Sequence, residues 1–195
     1  NDKVVFYGQS PNQWEYDSIG GLFNHQVHYF SDLTYYFLRI NHEEGLRVQD
    51  ATVIVQPEDV VVTSFNDYAV RESEEVNLIK SGRKWYGDAF GFTSNREFNF
   101  SFPNCDGPIH LKSVFATAVP APYNSVYSID LNGESVLINA SGTTGSYTFA
   151  SITTSQNQFL AANDVDISIQ FSSSYAGAEG WIDYLELNTR RKLIF

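Results

Sequence analysis

The residues best suited to chemistry are few. Cys105 and His110 stand five positions apart, a thiol and a base within one short stretch. A working thiol nucleophile also needs a group that orients the base and backbone donors for an oxyanion, gathered beside a cleft. Nothing around Asn104-Cys105-Asp106-Gly107 marks such a site, so Cys105 reads as a small apolar residue in a turn between strands. His25 and His28 would share a metal on a helix, but their surroundings are strand-like, and on a strand that spacing puts the rings on opposite faces. Asp130, Asn132 and Asp183 could offer oxygen ligands to calcium, yet no loop motif collects them, and Asn132 is better explained as a turn residue. No paired carboxylates and no triad stand at a matching spacing. The expectation is a chain with no catalytic residue, no metal and no cofactor.

Binding is a separate question. Trp14, Trp85 and Tyr86 are the aromatic candidates for stacking on a sugar ring. The plainer reading is that they cover the junction between the two halves of the chain, because Trp85 follows an expected short helix and Tyr86-Gly87 reads as a packed turn, and this reading is preferred. Asn139-Ala-Ser141 fits an N-glycosylation acceptor, a three-residue match common by chance.

These residues must be held by a folded scaffold, and composition says which kind. Of the 195 residues, 43% are hydrophobic and 18% charged, enough apolar surface for a core and too little charge for a disordered tail. Twelve Tyr and fifteen Phe favour a pleated, half-buried surface, hence an all-β fold. A net charge of −11, with 12 basic residues scattered singly, argues against nucleic acid as a partner. It argues equally against an anionic membrane surface, and no run approaches the length of a membrane span. One cysteine allows no disulfide within the chain, so the core carries stability. No signal peptide stands at Asn1 and there is no initiator Met, which fits a mature fragment or a trimmed piece and says nothing against export.

The second half carries the clearer pattern. Phe98, Phe100 and Phe102 share one face of a strand, and the same period of two runs through Ile109, Leu111, Phe115 and Val119. Tyr127, Ile129 and Leu131 alternate up to Asn132-Gly133, and Val136 and Ile138 resume beyond it, the signature of a tight hairpin. Strands are expected at 147–152, in a short piece at Phe159-Leu160, at 165–171 and at 181–187, the last apolar on both faces and so central. About eight short strands in residues 96–195 suit a jelly-roll-like β-sandwich.

Residues 1–95 form a smaller β-rich unit in this reading, with strand-like runs at 4–7, 27–30, 34–40, 51–55 and 60–65. Acidic Glu72, Glu74 and Glu75, Val76 and Ile79 one turn apart, Lys80 and then Gly82 predict a short helix over 72–81. The Gly- and polar-rich stretch 88–95 is the expected boundary between the two units.

Several stretches resemble a known family. Val62-Thr-Ser-Phe-Asn-Asp-Tyr68, followed by Glu75-Val-Asn-Leu-Ile-Lys-Ser-Gly-Arg-Lys-Trp-Tyr-Gly87, is similar to the N-terminal, pre-catalytic region of the type IX secretion sortases of Bacteroidetes, the PorU family of gingipain-type cysteine peptidases. Phe6 to Trp14, His28 to Asp32, Tyr35 to Leu38, and Gly180 to Asn188 with Arg190-Arg191 resemble the segments on either side of that motif. The resemblance implies a cell-surface, extracellular protein whose following peptidase domain removes C-terminal sorting signals from cargo and can join the cargo to lipopolysaccharide. The family's Cys and His motifs are not found here, so no catalytic role passes to Cys105. The implied partners are the adjacent peptidase domain of the same polypeptide, cargo sorting-signal domains or other secretion components. The leading expectation is a non-catalytic β region of such a sortase; the alternative is an independent secreted carbohydrate-binding module.

Overall fold

A computed structural model describes residues 5–31, 33–39, 49–50, 60–78, 80, 84–91, 93–145 and 148–194. The described residues form an all-β protein of eleven strands: β1 (Gln13–Asp17), β2 (Leu22–Gln26), β3 (Ser64–Glu72), β4 (Gly87–Phe90), β5 (Asn95–Ser101), β6 (Ile109–Ala118), β7 (Asn124–Leu131), β8 (Glu134–Ser141), β9 (Ser151–Phe159), β10 (Asp164–Ser173) and β11 (Glu179–Lys192).

Two antiparallel sheets make a sandwich. One has the order β5-β10-β7-β8; the other has the order β3-β11-β6-β9, with β4 also paired to β11. The core lies between them. Phe98, Phe100 and Phe102 contribute from β5 and its end, and Val165, Ile167 and Ile169 from β10. Tyr127, Ile129 and Leu131 of β7 meet Ile109, Leu111 and Phe115 of β6 and Ile182, Leu185 and Leu187 of β11. Phe115 stacks on Tyr127 with ring centroids 4.0 Å apart. The Tyr127 hydroxyl sits 2.9 Å from Thr117 Oγ1 and donates to the Ala116 carbonyl at 3.1 Å, so its one polar atom is satisfied inside the core.

The expected hairpin forms at Asn132-Gly133. Both residues have positive φ, 50° and 89°, as a type I′ turn requires. Asp130 accepts from the Gly133 N–H at 2.9 Å and from the Ser135 hydroxyl at 2.7 Å. Those bonds, the Ser135 bond first, hold its carboxyl below the usual carboxylate range. The Asn132 side chain bonds to β10 through the Asp164 carbonyl and the Asp166 N–H, which is turn chemistry and not metal ligation.

The structure departs from expectation in four places. No helix forms over 72–81 among the described residues: Glu72 ends β3, and Val76 forms an antiparallel bridge with Tyr86. Glu72 is drawn into the pairing of β3 with β11, and the backbone of Glu75 and Val76 bonds to Tyr86 instead of closing a helical turn. The strand expected at 147–152 and the piece at 159–160 are one strand, β9, whose interior is Thr, Ser, Gln and Asn and so carries little apolar signal. Tyr147 itself lies outside the described residues. The sandwich region has seven strands from β5 onward where about eight were expected. Residues 5–7, 27–30 and 34–39 are not in strands, β3 starts at Ser64, and 51–55 fall outside the described residues.

Strands from both sides of residue 95 share one sheet. β3 and β4 line one edge of β11, and Arg71 ties them together with a bidentate pair to Asp88 at 2.9 and 3.0 Å. The stretch 88–95 holds the end of β4 and the first residue of β5.

Candidate functional site

The site is built on the outer face of the five-stranded sheet. Alternation along β11 sends Ile182, Leu185 and Leu187 into the sandwich and Tyr184, Glu186 and Asn188 to the other side, with a bulge at Asp183. Glu186 and Asn188 are nonetheless buried, at 2% and 4% exposure. The β1–β2 hairpin covers them. Asn188 accepts from the Phe23 N–H at 2.7 Å and donates to the Phe23 carbonyl at 2.9 Å, while Glu186 accepts from the His25 N–H at 2.7 Å. Two side chains of β11 thus pair with the backbone of β2 as a neighbouring strand would.

Aromatic packing completes the contact. Trp14 and Phe23 both lie on Tyr68 of β3, with centroids 4.1 and 4.5 Å away, and Trp14 also meets the His25 ring at 5.0 Å. Burial, helped by the charge of Lys112, pushes the His25 imidazole below its ordinary pKa. Its Nδ1 lies 3.5 Å from Glu72, an ion pair only when the imidazole is protonated.

The hairpin stops short of β6 and β9. Their outer residues, His110, Lys112 and Val114 on β6, lie in register with Gln158, Gln156 and Thr154 on β9, with Ile152 next along β9, and form a floor that is open among the described residues. Leu22, Asn24 and Gln26 of β2 stand along one side. Two hollows follow this floor: about 230 Å³ between Asn24, His110, Gln156 and Gln158, and about 500 Å³ where Thr154 and Val114 meet Tyr29, Trp85 and Tyr184. Lys112 reaches Glu186 at 3.9 Å, and Lys84 reaches Asp183 at 3.3 Å. Burial raises the pKa of both carboxyls, against the pull of their lysines.

The three aromatic candidates have different places. Tyr86 is buried with Ala116 and Trp181 in a small second cluster. Trp14 is held in the hairpin contact, and Trp85 is 38% exposed at the wide end of the floor. Cys105 and His110 lie on opposite sides of the five-stranded sheet. The thiol contacts the Gly107 carbonyl and Thr189 Oγ1 beside the core, whereas His110 points outward opposite Asn188. His25 is buried, and His28 sits beyond the strand against Phe30. Asp183 pairs with Lys84, far along the fold from the turn at Asp130 and Asn132. Among the described residues no three His, Cys, Asp or Glu side chains are grouped to hold a metal, and no helix is long and apolar enough to cross a membrane.

Sequence reasoning missed Gln156, Gln158, Glu186 and Asn188. The signal available for the two glutamines was the polar run Thr153 to Gln158, polar on both faces where a sandwich strand has one; Glu186 and Asn188 carried no such signal.

No family model and no curated protein matches the sequence. Among solved structures, the chain is similar to dimeric latent PorU from Porphyromonas gingivalis, at 16% identity and a TM-score of 0.68, over 95% of this chain and 18% of that one. Lower similarity extends to the Cry4Aa toxin of Bacillus thuringiensis, with a TM-score of 0.39 and 12% identity over 52% of this chain and 18% of the toxin. The carbohydrate-binding module CBM36, in complex with calcium and xylotriose, gives a TM-score of 0.36 and 14% identity over 65% of this chain and 99% of the module. The last two are too distant to carry an argument. The chain has the fold of a β segment of PorU and spans 18% of that protein's length.

Proposed function

We propose that this chain is a non-catalytic β region of a cell-surface, type IX secretion sortase of the PorU kind, which supports a peptidase domain in the same polypeptide or contacts cargo and secretion components. One observation carries the reading: 95% of the chain superimposes on a segment of PorU.

The surface supports it too. Phe6, Tyr7, Phe30, Tyr35, Phe37 and Leu38 are between 67% and 96% exposed, a concentration of large apolar side chains that suits contact with another part of a larger protein. The role in this reading is structural or recognitive: the thiol of Cys105 contacts the Gly107 carbonyl and Thr189 Oγ1, and His110 lies on the other side of the sheet.

The gene's reading frame beyond Phe195 tests the proposal. Continuation into a domain with a Cys and His peptidase pattern is the expected result. A stop codon directly after Phe195 overturns it and leaves the independent module as the better account.

A further inference from the structure

We infer that the open floor of β6 and β9 is a binding groove for an extended, neutral oligosaccharide. The inference does not depend on the sortase reading and applies to this chain in any larger protein.

Shape is the first argument. From His110 to Val114 the floor covers four residue steps of β6, roughly 13 Å at the usual strand rise. The hairpin closes one side of it with Leu22, Asn24 and Gln26 and leaves the β9 side open, so a chain can lie along the strands. A compact monosaccharide would fill one of the two hollows, whereas an extended one spans both.

The lining is the second. Gln156 and Gln158 are exposed side by side on β9, and Asn24 faces them. An amide donates through its nitrogen and accepts through its oxygen, which matches the paired hydroxyls of a sugar. At the wide end the Trp85 and Tyr29 rings, 38% and 53% exposed, offer faces for stacking against the apolar side of a pyranose. The floor mixes the amides of Gln156 and Gln158 and the hydroxyl of Thr154 with Val114 and Ile152, a lining of hydrogen-bonding groups beside apolar ones that suits the two kinds of face a sugar presents.

Charge decides between classes of glycan. Both lysines beside the floor are engaged, Lys112 with Glu186 and Lys84 with Asp183. Glu72 and Glu74 line the same end as Trp85. Among the described residues a sulfated or uronic acid chain would meet carboxylates and only lysines already paired with them, which favours an uncharged ligand.

The experiment is titration calorimetry of the whole chain with di- to hexasaccharides of the xylo, cello, manno and galacto series, and with oligogalacturonates as anionic probes. The expected result is binding of at least one neutral series that strengthens with chain length and exceeds the anionic probes. Trp85→Ala should weaken it about tenfold, the scale of one aromatic contact. Gln156→Ala with Gln158→Ala should weaken it similarly, and Asn99→Ala on the other sheet should not. A urea midpoint for each variant checks folding; the two glutamines are exposed, so that variant remains informative if Trp85→Ala is unstable. Absence of binding to every neutral series at millimolar ligand overturns the inference, as does preference for the oligogalacturonates or full binding by both groove variants.

Discussion

The backbone N–H of His25 donates to the buried carboxylate of Glu186 at 2.7 Å, so a side chain of the central strand β11 serves as the hydrogen-bonding partner of the β1–β2 hairpin. The two residues are 161 positions apart, and this bond, with the two between Phe23 and Asn188, joins the hairpin to the last strand. Removing the acceptor leaves a part-buried N–H unpaired, at a cost of about 1–3 kcal/mol. Glu186→Ala is therefore expected to lower the urea midpoint and to speed protease cutting at the hairpin turn, 18–21. Glu186→Gln keeps an acceptor and should lose less. Equal behaviour of Glu186→Ala and the native protein would mean that the Trp14 and Phe23 contacts with Tyr68 hold the hairpin without it.

The same carboxyl gives a pH dependence of known sign. Burial raises the Glu186 pKa in the folded state, so the folded protein holds that proton more tightly than the unfolded chain. Its contribution is fully present below the unfolded carboxylate range and is lost as pH rises through the raised folded value. The stability of the native protein relative to Glu186→Gln should thus increase as pH falls from 7 toward 4. His25, whose pKa is lowered, works in the opposite direction, but it is common to both proteins and cancels in the difference. A difference that shrinks on acidification would show that Lys112 and the His25 N–H outweigh burial.

Gly180 lies where a methyl group would stand 2.5 Å from the Tyr127 hydroxyl and 3.0 Å from the Phe171 ring. Overpacking of this kind costs about 1–3 kcal/mol, so Gly180→Ala is expected to be destabilised by that amount in chemical denaturation. Tyr127→Phe removes the nearest atom. In the double variant the two losses should sum to less than their separate values, a coupling read from a double-mutant cycle. Strict additivity would place the strain on Phe171 instead.

Truncating the aromatic face of β5 should give graded losses. Phe102 is 2% exposed, and Phe102→Ala is expected to cost about 3–5 kcal/mol, as for a fully buried ring. Phe100 packs against the same core but is only partly buried, so Phe100→Ala should cost less. Reversal of that order in urea titration would contradict the placement of β5 at the sheet edge.

Much of the sandwich was legible because its signals are local. A period of two in Phe98 to Phe102, Tyr127 to Leu131 and Val165 to Ile169 fixes which side chains face inward, since successive residues of a strand point to opposite faces. Asn132-Gly133 specifies its own turn, because both residues tolerate positive φ. The apolar density of Trp181 to Leu187 marks a strand with neighbours on both sides, and β11 lies between β3 and β6.

Tertiary structure decided the rest. The acidic run from Glu72 to Ile79 has a helical spacing of its own, yet pairing with β11 and the Val76–Tyr86 bridge outweighs so short a helix, whose first turn is costly to form. Glu186 and Asn188 look like solvent-facing residues until the hairpin arrives to cover them, and no local pattern reports a partner 161 or 165 positions away. The groove follows from the same event. Gln156 and Gln158 are ordinary polar residues of an alternating strand, and they become its floor only because the hairpin covers β3 and β11 and leaves β6 and β9 open.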